Sequence, residues 1–174
     1  MPKVELEPAQ VGQRETLANL FQLYTYDFTE QWAGLERGEV GEDGLFDAYP
    51  YLDSYWVEPG RRPYLIRADG HIAGFVLING FSHSGLPVDF AVAEFFVMRK
   101  HRRGGVGRAA ARAAIAPRAG QWELAVARRN TAALPFWRAV AAELVTGPPD
   151  EIDRDNALWN GPILRFKVVA GVAG

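Results

Sequence analysis

Residues 88–115, VDFAVAEFFVMRKHRRGGVGRAAARAAI, dictate a strand, a basic glycine loop and a helix in immediate succession. Val88–Met98 is almost continuously apolar and rich in Val and Phe, which is the signature of a buried strand. Gly105–Ile115 is made of helix formers and stops just before Pro117. The bridge between them carries Arg99, Lys100, Arg102, Arg103 and three glycines, Gly104, Gly105 and Gly107. The first N–H groups of a helix have no intrahelical partner, and the helix dipole adds positive charge there. Glycine lets an anion approach that backbone without a Cβ in the way. No acidic residue occurs between Glu94 and Glu123, while Arg108, Arg112 and Arg118 extend the basic run. This junction is therefore expected to hold an anion with several phosphates.

The rest of the chain arranges itself around that unit. Lys3–Leu6 alternates and reads as a first strand, and Arg14–Trp32 as one amphipathic helix or two broken near Asp27. Residues 34–60 read as loop with a short helix around Pro50–Trp56. Tyr64–Arg67 and His71–Asn79 flank Asp69-Gly70, a hairpin with a primed turn. Gln121–Ala127 reads as strand, Asn130–Leu144 as helix capped by Asn130 or beginning near Pro135, and the LWNGPILRFKVV segment as a closing strand. The order β-α-α-β-β-β-α-β-α-β is a mixed α/β pattern. A chain of 174 residues with short breaks is expected to form one domain over 1–174.

Composition removes several classes of function. There is no cysteine, so thiolate catalysis and disulfides are excluded, and His71, His83 and His101 lack metal-ligand spacing, so no metal is expected. A net charge of −2 argues against a general nucleic-acid binder. The N-terminus lacks an apolar signal region and no apolar run is long enough to span a bilayer, so neither a membrane partner nor a location outside the cytoplasm is expected. Oligomeric state, a homodimer included, is not written in the sequence.

Three phosphate-binding motifs compete for the loop. A P-loop needs Lys-Ser/Thr after its glycines, and none follows here. Gly105-Val106-Gly107-Arg108-Ala109-Ala110 matches GxGxxA, but the charged bridge and the upstream hairpin do not suit a dinucleotide fold. Arg102–Gly107, RRGGVG, resembles the R/Q-x-x-G-x-G/A signature of the GNAT N-acetyltransferase superfamily. AEFFVM upstream resembles that family's fourth strand, and NTAALPFW downstream resembles its N-x-x-A-x-x-F-Y/W block at Asn130, Ala133, Phe136 and Trp137.

The resemblance implies a largely antiparallel central sheet flanked by helices, and acetyl-CoA as acyl donor. It implies that the loop, Arg102, Arg103, Gly104, Gly105, Val106, Gly107 and Arg108, binds the pyrophosphate, chiefly through backbone amides. Phe96, Val97 and Met98 would run beside the pantetheine arm, with the Val97 or Met98 N–H polarising the thioester carbonyl. Asn130 would contact the pantetheine end or a water there, and Phe136 would also bind the cofactor. The acceptor implied is a primary amine, taken here as a small molecule. A non-catalytic acyl-CoA-binding regulator of the same fold is the alternative.

Amine acetylation needs a base, and Glu94, an acid inside an apolar strand, is the first candidate, with Asp89 second. Trp137 stands where the family usually has an acidic Tyr, and indole N–H supplies no proton at neutral pH. Tyr24, Tyr26, Tyr49, Tyr51 and Tyr55 remain as candidate acids. Asp27, Glu30, Asp47 and Asp53 are candidate contacts for a cationic acceptor.

Overall fold

The computed structural model describes residues 1–145 and 147–170. Among them, seven strands form one sheet in the order β1-β2-β3-β4-β5-β7-β6. They are β1 (Val4–Pro8), β2 (Arg62–Ala68), β3 (His71–Asn79), β4 (Phe90–Val97), β5 (Gly120–Ala125), β6 (Asp150–Asp155) and β7 (Asn160–Val168). Every neighbouring pair is antiparallel except β4 with β5. Helices α1 (Arg14–Thr29) and α2 (Ser54–Val57) cover one face, and α3 (Val106–Ile115) and α4 (Ala133–Leu144) the other.

Each face of the sheet has its own core. Leu17, Leu20 and Phe21 of α1 meet Leu65, Phe75, Leu77 and Phe96 on the first face. On the second, Val106, Ala110, Ala114 and Ile115 of α3 and Val140 of α4 pack on Val76, Trp122 and Leu164. Fully burying a side chain such as Leu17 or Ile115 contributes about 1.5–3 kcal/mol. The strands can serve both cores because their side chains alternate between faces.

The β2–β3 turn has positive φ at both Asp69 and Gly70, as a primed turn requires. α1 ends at Thr29 and tightens into a 3-10 turn at Glu30–Trp32, so the break falls after Asp27. α4 begins at Ala133 rather than at Asn130, and Asn130 does not cap it. Asn130 instead closes a turn, its N–H donating to Ala127 O and its O accepting from the Ala133 N–H. Pro135 sits in the first helical turn, where a missing N–H costs nothing. β6 is a strand that the sequence pattern did not announce: DEIDRD has no apolar alternation, and the strand pairs only with β7. Among the described residues no helix is long and apolar enough to cross a membrane.

Candidate active site

The sheet is split along its parallel seam. β4 and β5 pair only at Phe90–Trp122 and Ala91–Glu123, then separate. The cleft that opens has a volume of about 1640 Å³. That exceeds the roughly 300–1,000 Å³ typical of a small-molecule pocket.

Hydrogen-bond alternation along β4 decides which backbone groups face this cleft. The Met98 N–H donates to Ala73 O at 2.8 Å. The bonded positions of an antiparallel pair alternate, so Phe96 faces β3 like Met98, while Phe95 and Val97 direct their N–H and C=O toward the opening. Of the two expected oxyanion donors, Met98 is therefore committed elsewhere and Val97 remains. Gly74 makes the β3–β4 approach possible, because a Cβ there would lie 1.9 Å from Phe96 O.

The glycine loop closes the open end of the cleft. Arg103 and Gly105 both adopt positive φ, 65° and 82°. A left-handed arginine is strained, and such strain collects at ligand clamps. Ala109 N–H is bonded to Gly105 O, leaving the N–H groups of Val106, Gly107 and Arg108 in the unpaired first turn of α3. Gly107 leaves only ordinary contact distance, 3.6–3.7 Å, between a would-be Cβ and Phe136 and Val97.

Most of the basic side chains are already occupied. Arg99 and Arg102 pair with Asp27, and Arg102 also donates to Val97 O at 2.7 Å. Arg108 and Arg112 both pair with Glu143. The chemistry offered to an anion is thus mainly amide, with Arg103 and Lys100 making no ion pair among the described residues.

Glu94 stands midway along the cleft wall. Leu77 pairs with Glu94 but Ile78 with Val92, so Ala93 is an extra residue, a β-bulge. The bulge puts Ala93 and Glu94 on the same face, toward α1. The Tyr24 hydroxyl donates to Glu94 Oε2 at 2.6 Å. Burial pushes the Glu94 carboxyl up to about 7, with the hydroxyls of Tyr24 and Tyr49 pulling part of the way back. Burial, then the Glu94 charge, pushes both phenols well above the ordinary tyrosine value, so both stay protonated donors.

Geometry sorts the remaining candidates. Asp89 accepts the Gln121 N–H at 2.8 Å and is absent from the cleft lining, which removes it as a base. Asp27 is half-buried beneath two arginines. Burial alone would raise its carboxyl, but Arg102 and Arg99 hold it below the usual range, so it is not free for an acceptor. Asp53 pairs with Arg14 at the surface, away from the cleft. Glu30, Asp47, Tyr49 and Tyr51 do line the cleft, as do Asn130, Phe136 and Trp137. Trp137 is buried against Phe95 at 5.0 Å between ring centroids.

Sequence reasoning missed the segment between β3 and β4. Glu123 of β5 is wholly buried and accepts from the N–H groups of His83 (2.5 Å) and Ser84 (3.0 Å) and the hydroxyls of Ser82 and Ser84. Arg165 of β7 completes the cluster at 2.5 Å. An acid in WELAV and an arginine in ILRFKV, both inside apolar strand runs, are the signal that could have revealed the pair.

A sheet opened at one parallel seam, with an amide-rich loop at its open end, defines a GNAT-type α/β domain. Residues 17–141 match the Acetyltransferase (GNAT) family, and the chain belongs to it. Solved structures share the fold. An acetyltransferase from Thermus thermophilus is 19% identical, with 97% of this chain and 100% of that one covered, at a TM-score of 0.68. The PaiA N-acetyltransferase of Thermoplasma acidophilum, solved with coenzyme A, is 12% identical over 95% and 99% of the two chains, at 0.57. Mycobacterium smegmatis RimJ, solved with CoA-disulfide, is 18% identical over 94% and 81%, at 0.59. No curated protein matches the chain in sequence.

Proposed function

We propose that the protein transfers the acetyl group of acetyl-CoA to the primary amine of a small molecule, both substrates bound together, with Glu94 as the general base. The observation that carries this reading is the Glu94 carboxyl, set on the wall of a cleft that leads to the amide loop and hydrogen-bonded by Tyr24, where burial raises it toward about 7. A base is most useful when its pKa lies near the working pH.

The loop amides of Val106, Gly107 and Arg108 suit the pyrophosphate, and Arg103 adds charge. The Val97 N–H suits the thioester oxygen, where negative charge develops during attack. Glu94 takes the amine proton, directly or through one water, as the C–N bond forms and the C–S bond breaks. Trp137 offers the departing sulfur no acidic proton, so the thiolate leaves unaided or takes its proton from water or from a cleft tyrosine, Tyr24, Tyr49 or Tyr51.

Release of free CoA thiol across an amine panel, read beside the thermal shift given by acetyl-CoA, tests the reading. A thermal shift with thiol release supports it. A thermal shift without release from any amine supports the non-catalytic acyl-CoA-binding reading, which Trp137 favours. No shift at millimolar acetyl-CoA defeats both. Gly105→Val forces a β-branched residue into left-handed backbone, a cost of about 1–2 kcal/mol, and should weaken acetyl-CoA binding. Arg112→Ala removes only an exposed partner of Glu143 and should not.

A further inference from the structure

The acceptor end of the cleft is lined by an arc of rings that the transfer chemistry alone does not require. It starts beside Glu94, where Tyr49 stacks on Phe21 with centroids 4.4 Å apart. Behind it the Tyr55 hydroxyl accepts from Asn79 Nδ2 at 3.4 Å. Asn79 Oδ1 accepts the Phe81 N–H at 3.0 Å. Phe81 then meets His83 edge-on at 4.9 Å, and His83 meets Trp159 at 4.5 Å. Tyr49, Phe81, His83 and Trp159 of this arc all line the cleft, the last three in ring contact with one another.

Two separate devices hold its outer half. The buried Glu123–Arg165 pair fixes the backbone of His83 and Ser84, and Arg165 Nη2 donates to Pro87 O at 2.7 Å. The Asn156 side chain accepts the N–H groups of Leu158 and Trp159, and the Asn156 backbone N–H donates to Trp159 O. A buried ion pair is a costly way to fasten a loop, and removing one partner leaves the other unpaired. A rigid wall built this way serves positioning.

The ring wall itself, Phe81, His83 and Trp159, carries no fixed charge. Burial holds the His83 imidazole below its usual value against the pull of Glu123, which favours its uncharged form. Asp27 is consumed by Arg99 and Arg102. Arg37 lies 4.5 Å over the Trp32 ring, and Arg61, paired with Glu58, lines the same end. Glu30, Glu39 and Asp47 line the cleft as well, so its charge is mixed, whereas along the ring wall one ammonium on an uncharged body meets Glu94 and ring faces.

Resting on the acetyltransferase reading, we propose that the acceptor is a primary amine carried on a flat, uncharged aromatic group, with Phe81, His83 and Trp159 determining that preference. The amine reaches Glu94 while the ring lies along the arc.

The test is thiol release from acetyl-CoA with tryptamine, 2-phenylethylamine, n-hexylamine and spermidine. The aromatic amines should exceed n-hexylamine in kcat/KM by about tenfold, the scale of one well-made aromatic contact. In Trp159→Ala that discrimination should fall toward one, through the amine KM, while the acetyl-CoA KM holds. Phe81→Ala, at a half-exposed ring with little to lose in folding, should show the same direction. Trp159→Phe should keep most of the preference. Equal or better turnover of n-hexylamine or spermidine, or unchanged discrimination in both alanine variants, overturns this inference and leaves the transferase reading intact. Absence of release from every amine overturns both.

Discussion

Glu94 and Glu123 occupy neighbouring strands, each inside an apolar run, and their surroundings drive them in opposite directions. Glu123 is buried, which by itself would raise its carboxyl. The Ser84 hydroxyl, the backbone N–H groups of Ser84 and His83 and the Ser82 hydroxyl outweigh that and hold it below the ordinary glutamate value, and Arg165 pairs with it. Glu94 is also desolvated, but only two phenols face it, and its carboxyl stays near 7. The difference separates a structural acid from a chemical one. Five donors make a carboxylate permanent and inert, while two neutral donors leave it free to take a proton.

The sharpest challenge to this contrast is Glu94→Gln. Turnover should fall by about 10²–10⁴, measured as thiol release under acetyl-CoA saturation. Stability should move the other way. The folded Glu94 value lies above the unfolded one near 4.5, so the ionised group opposes folding as pH rises from 4.5 through 7. At pH 8 the Gln variant should melt at or above wild type; a lower melting temperature would assign Glu94 to the architecture.

Glu123→Ala should do the reverse. Breaking a buried pair costs about 3–5 kcal/mol, roughly 6–20 °C in Tm for a chain of this size. Because the folded Glu123 value is depressed, its stabilising contribution is present above the unfolded value and is lost as pH falls through the folded one. The stability gap between wild type and variant should therefore close in acid.

Tyr24→Phe probes the donor count at Glu94. The hydroxyl stabilises the carboxylate, so its loss raises the Glu94 value. The acid limb of the kcat/KM profile should shift upward by about one unit. The smallest effect is expected for Ser84→Ala, where Glu123 keeps its other donors. A loss of about 1 kcal/mol in chemical denaturation, with the pH profile unmoved, would confirm that the two acids are independent.

How much of this could be read from the chain depends on distance along it. The strand, loop and helix from Phe90 to Ile115 are local, so apolar runs and glycines announced them within two residues. Glu94 was visible because an acid in AVAEFFVM is out of place. Its partner was not, since Tyr24 lies 70 residues away and five tyrosines compete on equal terms until the fold selects among them. The positive charge of the loop was legible, but not what neutralises it. Asp27 and Glu143, remote in sequence, absorb four of the arginines and leave the amides as the main donors. Likewise Met98 and Val97 look equivalent in sequence, and only the pairing with Ala73 tells them apart.

The strand that escaped the sequence has one more consequence. β6 ends the sheet, and a sheet edge is a template on which another chain can add a strand. Its Asp150, Glu151, Asp153 and Asp155 place four carboxylates along only six residues. Glu151 and Asp153 are paired with Arg138 and Arg128, so the charge that hides β6 from a hydrophobic pattern also clothes the edge in ion pairs, one of the ways a sheet blunts an exposed edge strand.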